Sequence, residues 1–279
     1  MIEPGVLLGV GSAAAWGTGD FAGGLAARRA GGMLVTGGAQ VLGLVLLLFA
    51  VVVLRPAPPA LSTILLGALG GVAGGLALAA LYRGLAMGAM GLVSAVSGVG
   101  AVLIPLTVGV LLWGSAIQPL QLAGVACALV AVAAASSATT RGVPREGVLL
   151  ALAAALGFGL WFVFLDRASE HDQLWALVAS RGSASLVVGG AALLRSDRCK
   201  LRQVAPLIGV AGLMDVLANG MVVLAFATIP VGIAAALSGT YPLVTMLLAR
   251  TVLGEALPRL GLVAVALAVA GIALISLGG

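Results

Sequence analysis

Apolar residues fill this chain in long blocks that polar side chains interrupt only at intervals, and the block lengths predict the elements. The longest charge-free block, Gly84 to Thr140, spans 57 residues. As one helix it would extend about 85 Å at ~1.5 Å per residue, far beyond the ~30 Å hydrocarbon core of a bilayer. It therefore folds back on itself in an apolar solvent. Further charge-free runs cover 30–54, 56–82, 147–165, 216–249 and 260–279. Without water at the backbone, only helices or a closed barrel can span. Stretches such as Val41–Leu54 and Val263–Leu277 are apolar on every face, which excludes the alternation of a barrel strand.

The pattern predicts an all-α polytopic membrane protein with ten transmembrane helices, near 5–27, 33–54, 61–83, 91–113, 119–138, 147–165, 174–194, 204–226, 230–252 and 258–277. The interruptions carry turn chemistry: Arg28-Arg29 with Gly31-Gly32, Arg55 to Pro59, Gln118-Pro119, Arg141 to Glu146, Asp166 to Asp172, Arg195 to Arg202, Ile229-Pro230 and Pro258. Glu3 before the first apolar segment and an Arg pair after it reverse the order of a secretory signal, so this segment is expected to remain as a helix.

Composition sharpens this reading. Charged residues make up 8% of the chain, against about 25% in soluble domains, and the mean hydropathy is +1.23. The net charge of +5 is a topology signal. Eleven basic residues, from Arg28 and Arg29 through Arg83, Arg141, Arg145, Arg195, Arg198, Lys200, Arg202, Arg250 and Arg259, fall on the face opposite Met1. Arg55 and Arg167 fall on the Met1 face. The positive-inside rule then places both termini outside. No segment is both basic and soluble-looking, so no nucleic-acid partner is expected. Thirteen of the fourteen basic residues are Arg, the composition of a GC-rich bacterial genome, which makes the bacterial plasma membrane the expected location. Cys127 and Cys199 read as free thiols.

The chain also aligns with itself at a spacing near 140. Ser115-Ala-Ile-Gln-Pro-Leu-Gln-Leu meets Glu255-Ala-Leu-Pro-Arg-Leu-Gly-Leu, and Ala15-Trp16-Gly17-Thr18-Gly19 meets Ala155-Leu156-Gly157-Phe158-Gly159. Gly91, Ser97-Gly98 and Gln40 align with Gly232, Ser238-Gly239 and Arg181. Two halves of five helices each enter the membrane from opposite faces, which predicts an inverted repeat around a central site, the architecture of many secondary transporters.

Residues 230–276 resemble the C-terminal half of the EamA-type repeat of the drug/metabolite transporter superfamily. The matching features are Pro230-Val-Gly-Ile-Ala-Ala-Ala-Leu-Ser-Gly-Thr-Tyr-Pro-Leu-Val-Thr, Leu253-Gly254-Glu255, Pro258 and Gly271. Tyr82-Arg83-Gly84-Leu85-Ala86 and Ala15-Trp16-Gly17 resemble the same repeat in the first half. There Trp113-Gly114-Ser115 replaces the Leu-Gly-Glu pattern, and Gln40 stands where an Arg is usual. The resemblance implies two EamA-like repeats, 1–140 and 141–279, in a basket with the fifth and tenth helices at the periphery. It implies export or exchange of small metabolites such as amino acids. It also implies cytoplasmic termini, opposite to the charge count, so the orientation stays open.

Ionisable groups inside a membrane cost ~2.5–3.5 kcal/mol each at mid-helix and mark functional positions. Asp20, Arg181 and Asp215 are such groups. Arg181 and Asp215 sit on consecutive helices at similar depth and are expected to pair. Asp20, the remaining acid, is the candidate for proton coupling. The other substrate-binding candidates are Trp16, Gln40, Tyr82, Ser97, Trp161, Asn219, Ser238 and Tyr241, with Thr18, Ser94 and Thr240 nearby. Trp113, Trp161 and Trp175 also fit an interfacial aromatic belt. Pro105 and Pro242 fit hinges inside helices four and nine. Glycines 67, 70, 71, 74 and 75 fit close helix packing, and Glu255 fits a cap on the tenth helix.

No phosphate-binding loop exists, since the single lysine, Lys200, lacks a glycine-rich lead-in. His171 has no ligand partners, so no metal or cofactor is expected and an enzyme is disfavoured. The expected partners are a small-molecule substrate, the lipid bilayer and protons, for a monomer or homodimer. Lipid or lipid-linked sugar flipping and uptake remain alternatives to export.

Overall fold

The computed structural model describes residues 4–87, 90–113, 118–138, 145–170, 172–194, 200–229, 234, 237–255 and 259–277. Among them no strand occurs. The helices are α1 Pro4–Ala30, α2 Gly32–Leu54, α3 Leu61–Ala86, α4 Met90–Trp113, α5 Pro119–Ala138, α6 Arg145–Ser169, α7 Gln173–Leu193, α8 Leu201–Phe226, α9 Tyr241–Leu253 and α10 Arg259–Leu277. Five of them, α2, α3, α6, α7 and α8, are long and apolar enough to cross a membrane, and shorter apolar helices accompany them. His171, Cys199 and most of the 195–202 loop lie outside the described residues.

The surface confirms the solvent. Phe49, Val52 and Val53 on α2 are 68%, 70% and 60% exposed, and Leu61, Leu65 and Leu69 on α3 are 72%, 55% and 53% exposed. A water-soluble protein does not present such a continuous apolar face. The charged side chains of the bundle's centre, by contrast, are buried. Polar inside and apolar outside is the arrangement that a bilayer selects.

Small residues let the helices approach. On α3, Gly67, Gly71 and Gly75 meet Ala176, Ser180 and Ala184 of α7, advancing four residues at a time on both helices. Equal steps in the same direction mean that α3 and α7 run parallel. Gly70 and Gly74 turn instead towards Phe164 and Trp161 of α6. The glycine cluster thus packs α3 against two neighbours at once. On α1, Gly19 abuts the Ala211 carbonyl of α8, and Gly17 abuts the Tyr241 carbonyl of α9. The α5 and α10 helices pack mainly on each other.

Two apolar clusters bracket the centre. One joins Phe21, Leu81, Tyr82, Leu85, Met90 and Val204; the other joins Trp161, Phe162, Leu165, Leu177 and Val222. At the end of the bundle holding the first cluster, Arg28 bonds Glu255 at 2.6 Å and Arg83 pairs with Glu146. Glu255 Oε2 also accepts from the Met90 backbone N–H at 3.2 Å. Glu255 therefore caps α4, because the turn after α9 returns it beside the start of α4; the cap on α10 that the sequence suggests involves residues 256–258, outside the described residues.

Two local features depart from the expected helices. The predicted ninth helix, 230–252, is interrupted by a turn at Gly239–Thr240, and α9 starts at Tyr241. Pro242 consequently occupies the first turn of α9, where its missing N–H leaves no bond unmade. It is not a hinge in a helix interior. In α7, the stretch Ser185–Gly189 is π-helical, one turn beyond Arg181. Such insertions re-register a helix and concentrate at functional sites. The start of α7 is regular: Asp172 accepts the Trp175 N–H at 2.9 Å as its N-cap.

Candidate functional site

Four side chains from four helices meet between the two apolar clusters. Arg181 of α7 donates through Nη1 to Asp215 Oδ2 of α8 at 2.6 Å and to Gln40 Oε1 of α2 at 2.5 Å. The other carboxylate oxygen, Asp215 Oδ1, accepts from Trp16 Nε1 of α1 at 2.9 Å. Arg181 and Asp215 are 3% and 7% exposed. Two charges are tolerable at this depth only because each neutralises the other and both are hydrogen-bonded. The expected Arg181–Asp215 pairing is thus present, with Gln40 and Trp16 as added partners. Arg181 Nη2 is buried without a hydrogen-bond partner among the described residues.

These residues line a cavity of about 50 Å³. Its polar wall comprises Asp20, Gln40, Ser180, Arg181, Asp215 and Asn219. Its apolar wall comprises Trp16, Leu78, Phe158, Trp161, Phe162 and Tyr241, and Gly71, Gly74, Gly75 and Ala184 contribute backbone and space. The rings interlock edge to face. Trp16 meets Trp161 at 5.8 Å, Phe162 at 5.9 Å and Tyr241 at 6.4 Å between centroids. Trp161 meets Phe162 at 5.1 Å. Such pairs gain from ring quadrupoles beyond the area they bury.

Of the residues singled out in the sequence, Trp16, Asp20, Gln40, Trp161, Arg181, Asp215, Asn219 and Tyr241 line this cavity. Three do not. The Tyr82 ring packs on Gly23 of α1, where any Cβ would overlap it. The Ser97 hydroxyl bonds Tyr241 Oη at 2.6 Å, behind the cavity wall. The Ser238 hydroxyl donates to the Gly9 carbonyl at 3.4 Å. Thr18 and Thr240 donate to backbone carbonyls of Ala14 and Leu237.

Trp161 corrects the interfacial-belt reading. It is 6% exposed, and its Nε1 donates to Ser180 Oγ at 3.2 Å. Position along α6 gives its depth, whereas the direction of its side chain depends on where α3 and α7 pack. Trp175 bonds the Ala57 carbonyl at 2.8 Å, nearer the end of the bundle. The Trp113 side chain lies outside what is described. Phe158, Phe162 and Ser180 are cavity residues that the sequence reading missed. Their signal was spacing: Phe158 lies three residues before Trp161 on one helix face and four before Phe162 on another, and Ser180 adjoins Arg181.

The Tyr241 wall has a testable support. Tyr241→Phe removes the bond to Ser97 but keeps the ring in place. It is expected to lower stability by about 1 kcal/mol, the net worth of a neutral buried hydrogen bond. A thermal melt in detergent would detect this, and an unchanged midpoint would show that the bond contributes nothing.

No curated protein matches the chain. A solved structure described only as "Crystal structure of protein" is similar over 99% of this chain and 99% of its own, with a TM-score of 0.67 and 18% identity. At that identity the likeness is one of fold. Residues 145–277 match the EamA-like transporter family. This match covers the second half of the chain and, with a helical bundle that has a polar cavity at its centre and an apolar exterior, is consistent with an EamA-type membrane transporter of the drug/metabolite transporter superfamily.

Proposed function

We propose that the protein is a secondary transporter that moves small metabolites, amino-acid-like or amphipathic, through the central cavity by alternating access. The observation that carries this reading is the Trp16–Asp215–Arg181–Gln40 network beside the cavity, at the middle of an otherwise apolar bundle. A bundle that needed only to hold together has cheaper means than buried charge. Export across a bacterial plasma membrane is the favoured direction, with uptake as the alternative.

An inverted pair of five-helix repeats, 1–140 and 141–279, provides the means to alternate. Two features support it. The closest helix pairs, α1 with α8 and α3 with α6, interchange when the halves are exchanged. Gln40 and Arg181, aligned by the internal repeat, also touch, as residues beside a twofold axis do. Rocking one half against the other would close one apolar cluster and open its counterpart.

Asp20 is the proposed proton-coupling group. It is 5% exposed and lines the cavity, with no cation paired to it among the described residues. Asp20→Asn is expected to remove the response of flux to an imposed proton gradient. A variant that transports at the wild-type rate, with the wild-type response, would end that assignment.

The function itself is tested by overexpression against toxic amino-acid analogues and amphipathic drugs, followed by flux in proteoliposomes. Resistance and flux with the wild type, both lost with Arg181→Ala, are expected. Flux of no solute would refute the proposal, and movement of labelled lipid alone would favour flipping.

A further inference from the structure

Resting on the transporter reading above, we infer that Glu255 latches the cavity shut at the end of the bundle that carries Arg28, as a positioning residue for the switch between open states. The observation is one carboxylate shared between two parts of the first half. Arg28 of α1 donates to Glu255 Oε1 at 2.6 Å, and the Met90 N–H that starts α4 donates to Glu255 Oε2 at 3.2 Å. Glu255 itself belongs to the second half, in the turn after α9. Both of its oxygens are thus spent across the boundary between the proposed halves. Drawing the halves apart at this end breaks both bonds at once.

The latch holds an apolar seal beneath it. Met90 is fully buried, and its side chain lies against Gly24 of α1, where an added Cβ would come within 3.1 Å of Cε. Leu85 lies on the same glycine, and the Tyr82 ring lies on Gly23 beside it. Leu78, Tyr82, Leu85 and Met90 belong to one apolar cluster, and Leu78 is also on the cavity wall. The cluster therefore reaches from the cavity to the latch. Apolar packing is non-directional, so it does not by itself fix one arrangement of the helices. A charge-assisted bond at its rim supplies that direction.

A second ion pair at this end, Arg83–Glu146, also joins the halves, and exposure separates the two. Its side chains are 58% and 51% exposed, against 30% and 22% for Arg28 and Glu255. Water and salt screen the outer pair to little net worth, whereas the inner one keeps more of its attraction. The internal repeat adds a bias. It sets Ser115 at the position of Glu255, and a serine cannot carry the charge. Exchanging the halves does not reproduce this latch, which weights the carrier towards closure at the Arg28 end.

The test reads which end is open. Phe158→Cys, in the full chain with Cys127→Ser and Cys199→Ser, is labelled by an impermeant thiol reagent added from the Arg28 face or from the Met1 face. A protease-sensitive tag at Met1 tells which vesicles expose which face. Glu255→Gln removes the charge and keeps an acceptor for the Met90 N–H. It is expected to raise labelling from the Arg28 face, relative to the Met1 face, about 5-fold. Glu255→Ala, which also frees that N–H, should exceed this. Arg28→Gln should match Glu255→Gln, and Arg28→Lys should return the ratio to within about 2-fold of the wild type. Arg83→Gln is the control and should leave the ratio unchanged. A residue that only caps α4 would lower the melting temperature of Glu255→Ala without moving the ratio, and that result overturns the inference. An equal shift with Arg83→Gln overturns it too. If the Glu255 variants fail to fold, Arg28→Gln against Arg28→Lys decides alone. Solute flux with a wild-type ratio in Glu255→Ala would remove the latch and leave the transporter reading intact; flux of no solute in the wild type would remove that reading itself.

Discussion

Arg181→Ala is expected to abolish flux and to destabilise the protein together. The substitution leaves Asp215 buried with only the Trp16 indole as partner, and stranding one member of a buried pair costs about 3–5 kcal/mol. Asp215→Ala should behave alike, stranding the guanidinium against Gln40. The double variant separates structure from transport. With neither charge present, stability should recover towards the wild type in a detergent melt, while flux stays at background. A double variant that regained flux would reduce the pair to a strut between α7 and α8.

Gly71→Leu should have the largest effect on folding of any single glycine substitution on α3. A Cβ at Gly71 would overlap the Ser180 carbonyl oxygen and crowd the Ser183 hydroxyl, and backbone cannot swing aside as a side chain can. Helices α3 and α7 would have to separate, dragging Ser180 and Arg181 from the cavity wall. Gly71→Ala alone is expected to cost about 1–3 kcal/mol as an overpacking change, with leucine beyond that range. Gly209→Ala on α8 is the control, since a Cβ there meets nothing within 4 Å. That change should stay within about 0.5 kcal/mol. Equal melting of Gly71→Ala and Gly209→Ala would contradict the close approach of α3 and α7.

The bundle was legible in the sequence because bilayer physics is coarse. A charge-free run such as Gly84–Thr140 needs no fine periodicity to be read as helix, and the observed α4 and α5 fall within two residues of their expected bounds. Buried charge was legible for a similar reason: Arg181 must have a partner, and Asp215 was the acid at matching depth. What escaped depended on three-dimensional packing. The turn at Gly239–Thr240 lies within an apolar run whose composition is as helical as its neighbours', so only the placement of Pro242 hinted at a restart. The π-helical stretch Ser185–Gly189 has no compositional mark. The surroundings of Trp161 were not legible, because the α3 glycine that its ring packs on comes from a distant part of the chain.

The cavity shows the same division. Asp20, Trp16 and Asn219 were found as polar or aromatic residues in the middle of apolar helices. Phe158 and Phe162 were passed over because phenylalanine in a membrane helix carries no signal of its own. Glycines 71, 74 and 75 were read as packing residues and also border the cavity, since the absence of a side chain serves close approach and open space alike.

A single thiol decides whether this pocket faces each side of the membrane in turn. Phe158→Cys, made in a Cys127→Ser and Cys199→Ser background, would be exposed to a membrane-impermeant thiol reagent in right-side-out and in inside-out vesicles. Two inverted bundles rocking about a mid-membrane pocket predict labelling from either side, with solute shifting the balance between them. Labelling from one side only, whatever solute or gradient is imposed, would contradict alternation and with it the carrier mechanism.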